Sequence, residues 1–341
     1  MSETDFTNGN VSAMRIQCLI SVLATATTAL VGVPHMARAT PTYIALGDSI
    51  TFGETDLNYA QSYGVRGYVG LYANTLATRL GTTPNVVNLA IDGETATSFF
   101  SNAGRTPPVA GRGDAPLQLE NLNYANSTAL SQSQVFANTV SAQTRLGNTI
   151  AAVSITLGFN ELAALAPAAN TPALEAAALA QVPAELAAYH TNYSSVLSYV
   201  RGLAPTASLS LLGYYDPFPA NEASPAAPLF DTYGAQLNAI IQQLATQYGA
   251  TYVNNATSFV GNEAAYTYQG ILPAAASVSG LYGGLLPVGN VHPNTLGYAQ
   301  IAADVAAANV PEPMSWTLLG VGLGIAAIGR FSLRKQVRRV A

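Results

Sequence analysis

The stretch Ile44-Ala45-Leu46-Gly47-Asp48-Ser49-Ile50-Thr51-Phe52-Gly53 sets an apolar run against a Gly-Asp turn and a serine. A short apolar run ended by glycine reads as a buried strand. The serine then stands at the carboxyl tip of that strand, the edge where parallel α/β sheets bind their ligands. A serine in this place also serves as a helix cap. Glycines on both sides, Gly47 and Gly53, favour a turn that exposes the hydroxyl. Further apolar, β-branched runs follow at 86–89, 152–157, 209–212 and 251–253. Helical patterns lie between and after them at 67–80, 174–203, 229–248 and 295–308. Strands alternating with helices predict βαβ units, hence an α/β domain with a parallel sheet covered by helices on both faces. Two stretches break the rhythm: 99–130, with several Gly and Pro, and 257–289, rich in Tyr and Gly. Long irregular insertions of this kind are more often functional than structural.

The two ends have a different character from this body. Arg15 precedes a small, apolar run to Val33, and Ala37-Arg38-Ala39 closes it. Charge, apolar run and small-residue site in that order predict a secretory signal peptide over 1–39, with translation beginning at Met14. At the other end Pro311-Glu312-Pro313 precedes the apolar run 316–329 and then Arg330, Arg334, Lys335, Arg338 and Arg339. That run is short against the roughly 20 residues of a spanning helix, and the basic cluster would stay on the cytoplasmic side. The segment 310–341 resembles the PEP-CTERM sorting signal of Gram-negative bacteria. The resemblance implies transient anchoring in the inner membrane, processing by an exosortase, and delivery to the cell surface or extracellular matrix. The body, 40–309, is the size of one domain.

Charge narrows the partners. Charged residues are 9% of the 341, against about 25% in an average soluble protein. Between residues 40 and 309 there are six arginines, no lysine and fifteen acids, a net of −9. Such a body offers no basic stripe for a phosphate backbone, so no nucleic-acid partner is expected. Cys18 is the only cysteine and falls in the signal segment, which leaves no disulfide and no cysteine-based zinc site in the body.

A hydroxyl nucleophile near neutral pH needs a base, and histidine is the usual one. The body holds two, His190 and His292. His190 lies inside a predicted helix and reads as structural. His292, in Gly289-Asn290-Val291-His292-Pro293-Asn294, sits in a loop just before a helix and is the better base. The Ser49 backbone N–H, at a helical turn, is placed to help bind an oxyanion. Tyr214-Tyr215-Asp216-Pro217-Phe218-Pro219 follows the fourth strand and reads as an apolar substrate wall, with Tyr266, Tyr268 and Tyr282 as further lining candidates. No metal spacing and no cofactor motif occurs.

The residues around Ser49 also carry a family resemblance. Gly47-Asp48-Ser49-Ile50 is similar to the first block of the GDSL/SGNH hydrolases, with Ser49 matching the nucleophile. Asn88-Leu89-Ala90-Ile91-Asp92-Gly93 resembles the second block, which implies an oxyanion-hole N–H at Gly93. Thr156-Leu157-Gly158-Phe159-Asn160-Glu161 resembles the third, which implies a side-chain oxyanion donor at Asn160. Val291-His292-Pro293-Asn294 matches the last, with His292 as base. The family implies a three-layer α/β/α sandwich, the flavodoxin-like SGNH hydrolase fold, around a parallel five-stranded sheet. It also implies a secreted lipase or esterase that works through an acyl-enzyme on Ser49 without metal or cofactor. The substrate would be a small or polymer-borne acyl ester, including acyl groups on a matrix polysaccharide.

Two positions depart from the pattern. Glu161 stands where the third block usually has Asp, and Gly289 stands where the last block commonly has the acid that orients the histidine. Without that acid the pair is a Ser49–His292 dyad, with a backbone carbonyl or Asn290 accepting from the imidazole, unless an acid arrives from elsewhere in the chain. The missing acid also leaves open a surface or matrix binding protein on a weakened hydrolase scaffold.

Overall fold

Every residue of the strand Pro41–Gly47 is buried, as a strand covered on both faces requires. The protein is described here from a computed structural model over residues 39–53, 66–91, 93–101, 130–165, 171–218, 227–267 and 292–309. In chain order these residues form β1 (Pro41–Gly47), α1 (Ser49–Phe52), α2 (Gly67–Leu80) and β2 (Asn85–Asn88). A 3₁₀ turn at Ser98–Phe100 follows, then α3 (Gln132–Arg145), β3 (Thr149–Thr156), α4 (Phe159–Ala163), α5 (Pro172–Leu179) and α6 (Val182–Leu203). The remaining elements are β4 (Ser208–Leu212), α7 (Ala227–Gln247), β5 (Thr251–Val253), α8 (Asn255–Phe259), α9 (Glu263–Tyr266) and α10 (Thr295–Ala308).

The five strands make one parallel sheet in the order β2-β1-β3-β4-β5. Helices lie on both sides: α2 packs on α10, and α6 packs on α7. The expected three-layer α/β/α architecture is therefore present. The order reverses direction at β1, between β2 and β3, and in such sheets the crevice beyond the carboxyl ends at that reversal is the ligand site. The turn Gly47-Asp48-Ser49 leaves from β1 at this point.

Side chains explain the layering. Helix α2 turns Tyr68, Tyr72 and Leu76 into the core at helical spacing, with Tyr72 edge-on to Tyr43 of β1 at 5.4 Å between centroids. Burying a large apolar side chain is worth about 1.5–3 kcal/mol, so such contacts fix which face turns inward.

The predicted helix over 174–203 is two helices. Pro183 explains the break: inside one continuous helix it would lack an N–H and clash with the carbonyl of Leu179. The chain ends α5 at Leu179 and restarts, so that Pro183 falls in the first turn of α6, where no N–H is needed. Helix α3 was not anticipated, nor were α8 and α9 at the start of the stretch read as irregular. The segments 1–38 and 310–341, read as export and sorting signals, lie outside the described residues, as does 102–129. Among the described residues no helix is long and apolar enough to cross a membrane.

Candidate active site

Ser49 is the first residue of α1, and its geometry begins with Asp48. The Asp48 carboxylate accepts from the Ile50 N–H at 3.1 Å and so caps the one-turn helix. Thr156 Oγ1 donates to Asp48 Oδ1 at 2.9 Å, and the Tyr214 hydroxyl donates to Oδ2. Burial pushes the Asp48 carboxyl up to about 6, against the pull of these donors. Asp48 is thus a cap and anchor for the serine turn. Gly47 must be glycine: its φ is +127°, and a Cβ there would lie 2.2 Å from the Thr156 carbonyl oxygen.

His292 reaches Ser49 from the other end of the chain. Its Nε2 lies 2.7 Å from Ser49 Oγ, and both side chains are nearly buried, at 8% and 6% exposed. The turn carrying the imidazole is clamped to α9. Pro293 bridges to Thr267, and the Asn294 N–H donates to the Tyr266 carbonyl at 2.8 Å. The Asn294 side chain donates to the Ala265 carbonyl at 2.7 Å and accepts from Leu296 and Gly297 N–H as the cap of α10. The position of the family's usual acid, Gly289, and its neighbour Asn290 lie outside the described residues.

The two strands flanking β1 deliver the remaining groups. Beyond the last paired residues of β2, the Leu89 N–H donates to the Ala45 carbonyl and the Ile91 N–H to the Gly47 carbonyl. The segment therefore runs beside the serine turn before it bends at Gly93, with φ of +72°. Asn88 ties this segment to α1, donating to the Thr51 carbonyl at 2.8 Å. On the other side β3 ends at Thr156, and Asn160 follows in the first turn of α4. One Asn160 Nδ2 hydrogen goes to the Glu94 carbonyl at 2.9 Å, which orients the amide; the group has a second hydrogen by its chemistry. His292 Nε2 thus lies against Ser49 Oγ at the end of β1, while Gly93 and Asn160 stand in the segments that follow β2 and β3, the two strands flanking β1.

Glu161, the departure from the third block, is buried. Its Oε1 accepts from the Ala96 N–H at 2.6 Å, while Oε2 has no hydrogen-bond partner among the described residues. Burial pushes its carboxyl up to about 8, so Glu161 is mostly protonated at neutral pH. An uncharged acid here places no negative charge beside Asn160.

Two residues beside the serine turn escaped the sequence reading. Gln132, the first residue of α3, is fully buried and bonds both backbone groups of Gly47. Glu94 is fully buried too and receives Gln132 Nε2 on its carboxylate at 3.2 Å. Neither carries a motif; the signal for Gln132 is a glutamine directly behind the helix cap Ser131.

Among the described residues the expected aromatic wall turns into the core instead. Tyr214, Tyr215 and Phe218 are buried, Tyr214 bonds Asp48, and Tyr215 stacks on Phe259 with centroids 4.0 Å apart. Tyr266 packs edge-on to Phe259, and Tyr268 and Tyr282 lie outside the described residues. His190 is half-buried in a groove with Leu186, Gln236 and Ile240. Among the described residues no group of three His, Cys, Asp or Glu is placed to hold a metal ion.

Solved structures of similar fold include a lipase from a goat rumen metagenome, at 18% identity and a TM-score of 0.52, over 80% of this chain and 99% of that one. An extracellular lipase from Streptomyces rimosus is 19% identical with a TM-score of 0.49, over 79% and 100% of the two chains. An acetylxylan esterase from Geobacillus stearothermophilus is 16% identical with a TM-score of 0.46, over 79% and 94%. No curated protein matches. Residues 45–300, which span all four blocks, match the GDSL-like Lipase/Acylhydrolase family. The chain belongs to the GDSL-like lipase/acylhydrolase family and is an ester-bond hydrolase.

Proposed function

We propose that Ser49 is the nucleophile and His292 the general base of an exported esterase that works through an acyl-enzyme. The observation that carries this reading is the 2.7 Å contact between Ser49 Oγ and His292 Nε2 at the end of β1, within reach for proton transfer. Ser49 Oγ attacks the acyl carbonyl carbon as its proton passes to His292 Nε2. The charge that forms on the carbonyl oxygen is met by the N–H groups of Ser49 and Gly93 and by Asn160 Nδ2. Collapse breaks the ester bond, and the alcohol leaves with the proton from His292. Water then attacks the acyl-serine with His292 again as base, and the carboxylic acid departs. The scheme needs His292 neutral and calls on no metal or cofactor.

The acyl donor is proposed to be an O-acyl group, short-chain acetyl included, on an extracellular polymer. What supports this is the C-terminal 310–341 segment, whose resemblance to a sorting signal implies a destination at the cell surface or matrix. Lipid-like esters are the competing substrate class. Ser49→Ala and His292→Ala variants assayed on short and long acyl esters and on acetylated glycans test the mechanism and the preference together. Turnover and fluorophosphonate labelling should vanish in Ser49→Ala; unchanged turnover in that variant would overturn the assignment. Comparing the full chain with one lacking 310–341 in cell fractions tests the export reading.

A further inference from the structure

Gln132 occupies a singular place in the fold. Its Oε1 accepts from the Gly47 N–H at 2.7 Å, and its Nε2 donates to the Gly47 carbonyl at 2.9 Å and to Glu94 Oε2 at 3.2 Å. The side chain is fully buried. Its orientation is fixed by chemistry, since a flipped amide would set NH₂ against an N–H and oxygen against oxygen. Gly47 lies beyond the last β1–β2 pair, Ala45 with Asn88; its carbonyl still accepts from the Ile91 N–H, and the Gln132 amide adds a second donor there while accepting from the Gly47 N–H. Helix α3 begins at this residue, held by a full capping box between Ser131 and Gln134.

What the amide joins gives it its meaning. On one side is the peptide that leads directly into Asp48 and Ser49. On the other is Glu94, adjacent to Gly93, whose own carbonyl receives Asn160 Nδ2. The bonds run Gly47–Gln132–Glu94–Asn160, linking the nucleophile turn to both flanking loops.

We infer that Gln132 is a positioning residue for the hydrolysis reaction, setting the distance between the Ser49 turn and the Gly93 and Asn160 loops. The inference rests on the acyl-enzyme reading above. A Gln132→Met variant keeps the bulk and removes all three bonds. A displacement of about 1 Å among reacting groups is enough to cost on the order of 10²-fold in rate. Oxyanion donors act on the transition state and not on bound ester, so the loss belongs in kcat with KM nearly unchanged.

The test compares wild type, Gln132→Met, Gln132→Glu and Val140→Ala on a soluble short-chain ester, with melting curves and fluorophosphonate labelling for each. Val140 is buried in the same helix and touches none of these bonds, so it controls for loss of stability. Gln132→Met should lose about 30–100-fold in kcat while Val140→Ala keeps it at a matched drop in melting temperature. Equal kcat in the two variants overturns the inference. Should Gln132→Met fail to fold, Gln132→Glu decides. Ionised, it sets a carboxylate against the Gly47 carbonyl and Glu94; protonated, it regains one donor. Its kcat relative to wild type should rise at least about tenfold between about pH 8 and pH 6, and a pH-independent ratio overturns the inference. Absence of turnover and labelling in the wild type would instead refute the acyl-enzyme reading itself.

Discussion

Glu161 offers the sharpest link between burial and behaviour. Its carboxyl is raised by burial from 4.5 to about 8, so the folded state binds a proton that the unfolded state releases. Between those two values the folded state holds more protons than the unfolded state, and stability therefore falls as pH rises. At about 1.4 kcal/mol per unit, the full window is worth about 5 kcal/mol, of which about 3 kcal/mol is already lost at pH 7. Glu161→Gln removes the titration and keeps an oxygen for the Ala96 N–H. Urea unfolding of both proteins at about pH 5, 7 and 9 gives a difference curve in which all other titrating groups cancel. The variant should match wild type at pH 5 to within about 1 kcal/mol and exceed it by about 3 kcal/mol or more at pH 9. The uncharged amide should also spare kcat the fall expected as a carboxylate forms beside Asn160 above pH 8. Parallel stability curves for the two proteins would refute the reasoning, since they would mean that Glu161 titrates alike folded and unfolded.

Asn160→Ala should lower kcat by about 10²–10³-fold with little change in KM, read from steady-state kinetics on a short-chain ester. Gly47→Ala should destabilise by more than about 2 kcal/mol, through left-handed backbone and the close Thr156 carbonyl together, as measured by thermal melts. Tyr214→Phe removes a donor from Asp48, whose carboxyl is at about 6, and so raises that value further. The variant should lose about 1.5–3 kcal/mol of stability at pH 8 and clearly less at pH 5, where Asp48 is protonated in both proteins.

The strands and the paired Ser49 and His292 could be read from the chain because each rests on local chemistry. An apolar run closed by Gly47 can only be a buried strand ending in a turn, and Ser49 and His292 need only stand at loop positions to be candidates. What escaped reading was set by long-range contact. Helix α3 carries little apolar signal, and its purpose, holding Gln132 against Gly47, joins positions 85 residues apart. Tyr214 looked like a substrate contact because an aromatic at a strand end has no local mark of its partner; Asp48 lies 166 residues away. In the sequence Glu161 is only a departure from the third block, and its burial alone reveals an acid held neutral.

The polar core has a direction that follows from donor arithmetic alone. Asp48 is an acceptor when ionised, so Thr156 must donate to it. Each hydroxyl has one hydrogen, so Thr51 must donate to Thr156 at 2.7 Å, and Tyr68 to Thr51 at 2.9 Å. Ser154 then donates to Tyr68 at 2.9 Å and Tyr43 to Ser154 at 2.7 Å. Five buried hydroxyls from β1, α1, α2 and β3 thus point their hydrogens one after another at the carboxylate next to Ser49. Chains of this kind polarise one another in a low-dielectric interior. The arrangement satisfies a buried charge without a lysine or arginine, and it shows how a body so poor in charge still holds an anionic anchor beside Ser49. Breaking the chain at its far end with Tyr43→Phe leaves Ser154 a donor and its acceptor side vacant, so the cost should stay near about 1 kcal/mol. Thr156→Val removes the last link, costs Asp48 a donor directly, and should be the more damaging of the two by at least about 1 kcal/mol in urea unfolding at pH 8. Equal losses would mean that the hydroxyls act as separate pairs and that no directed chain converges on Asp48.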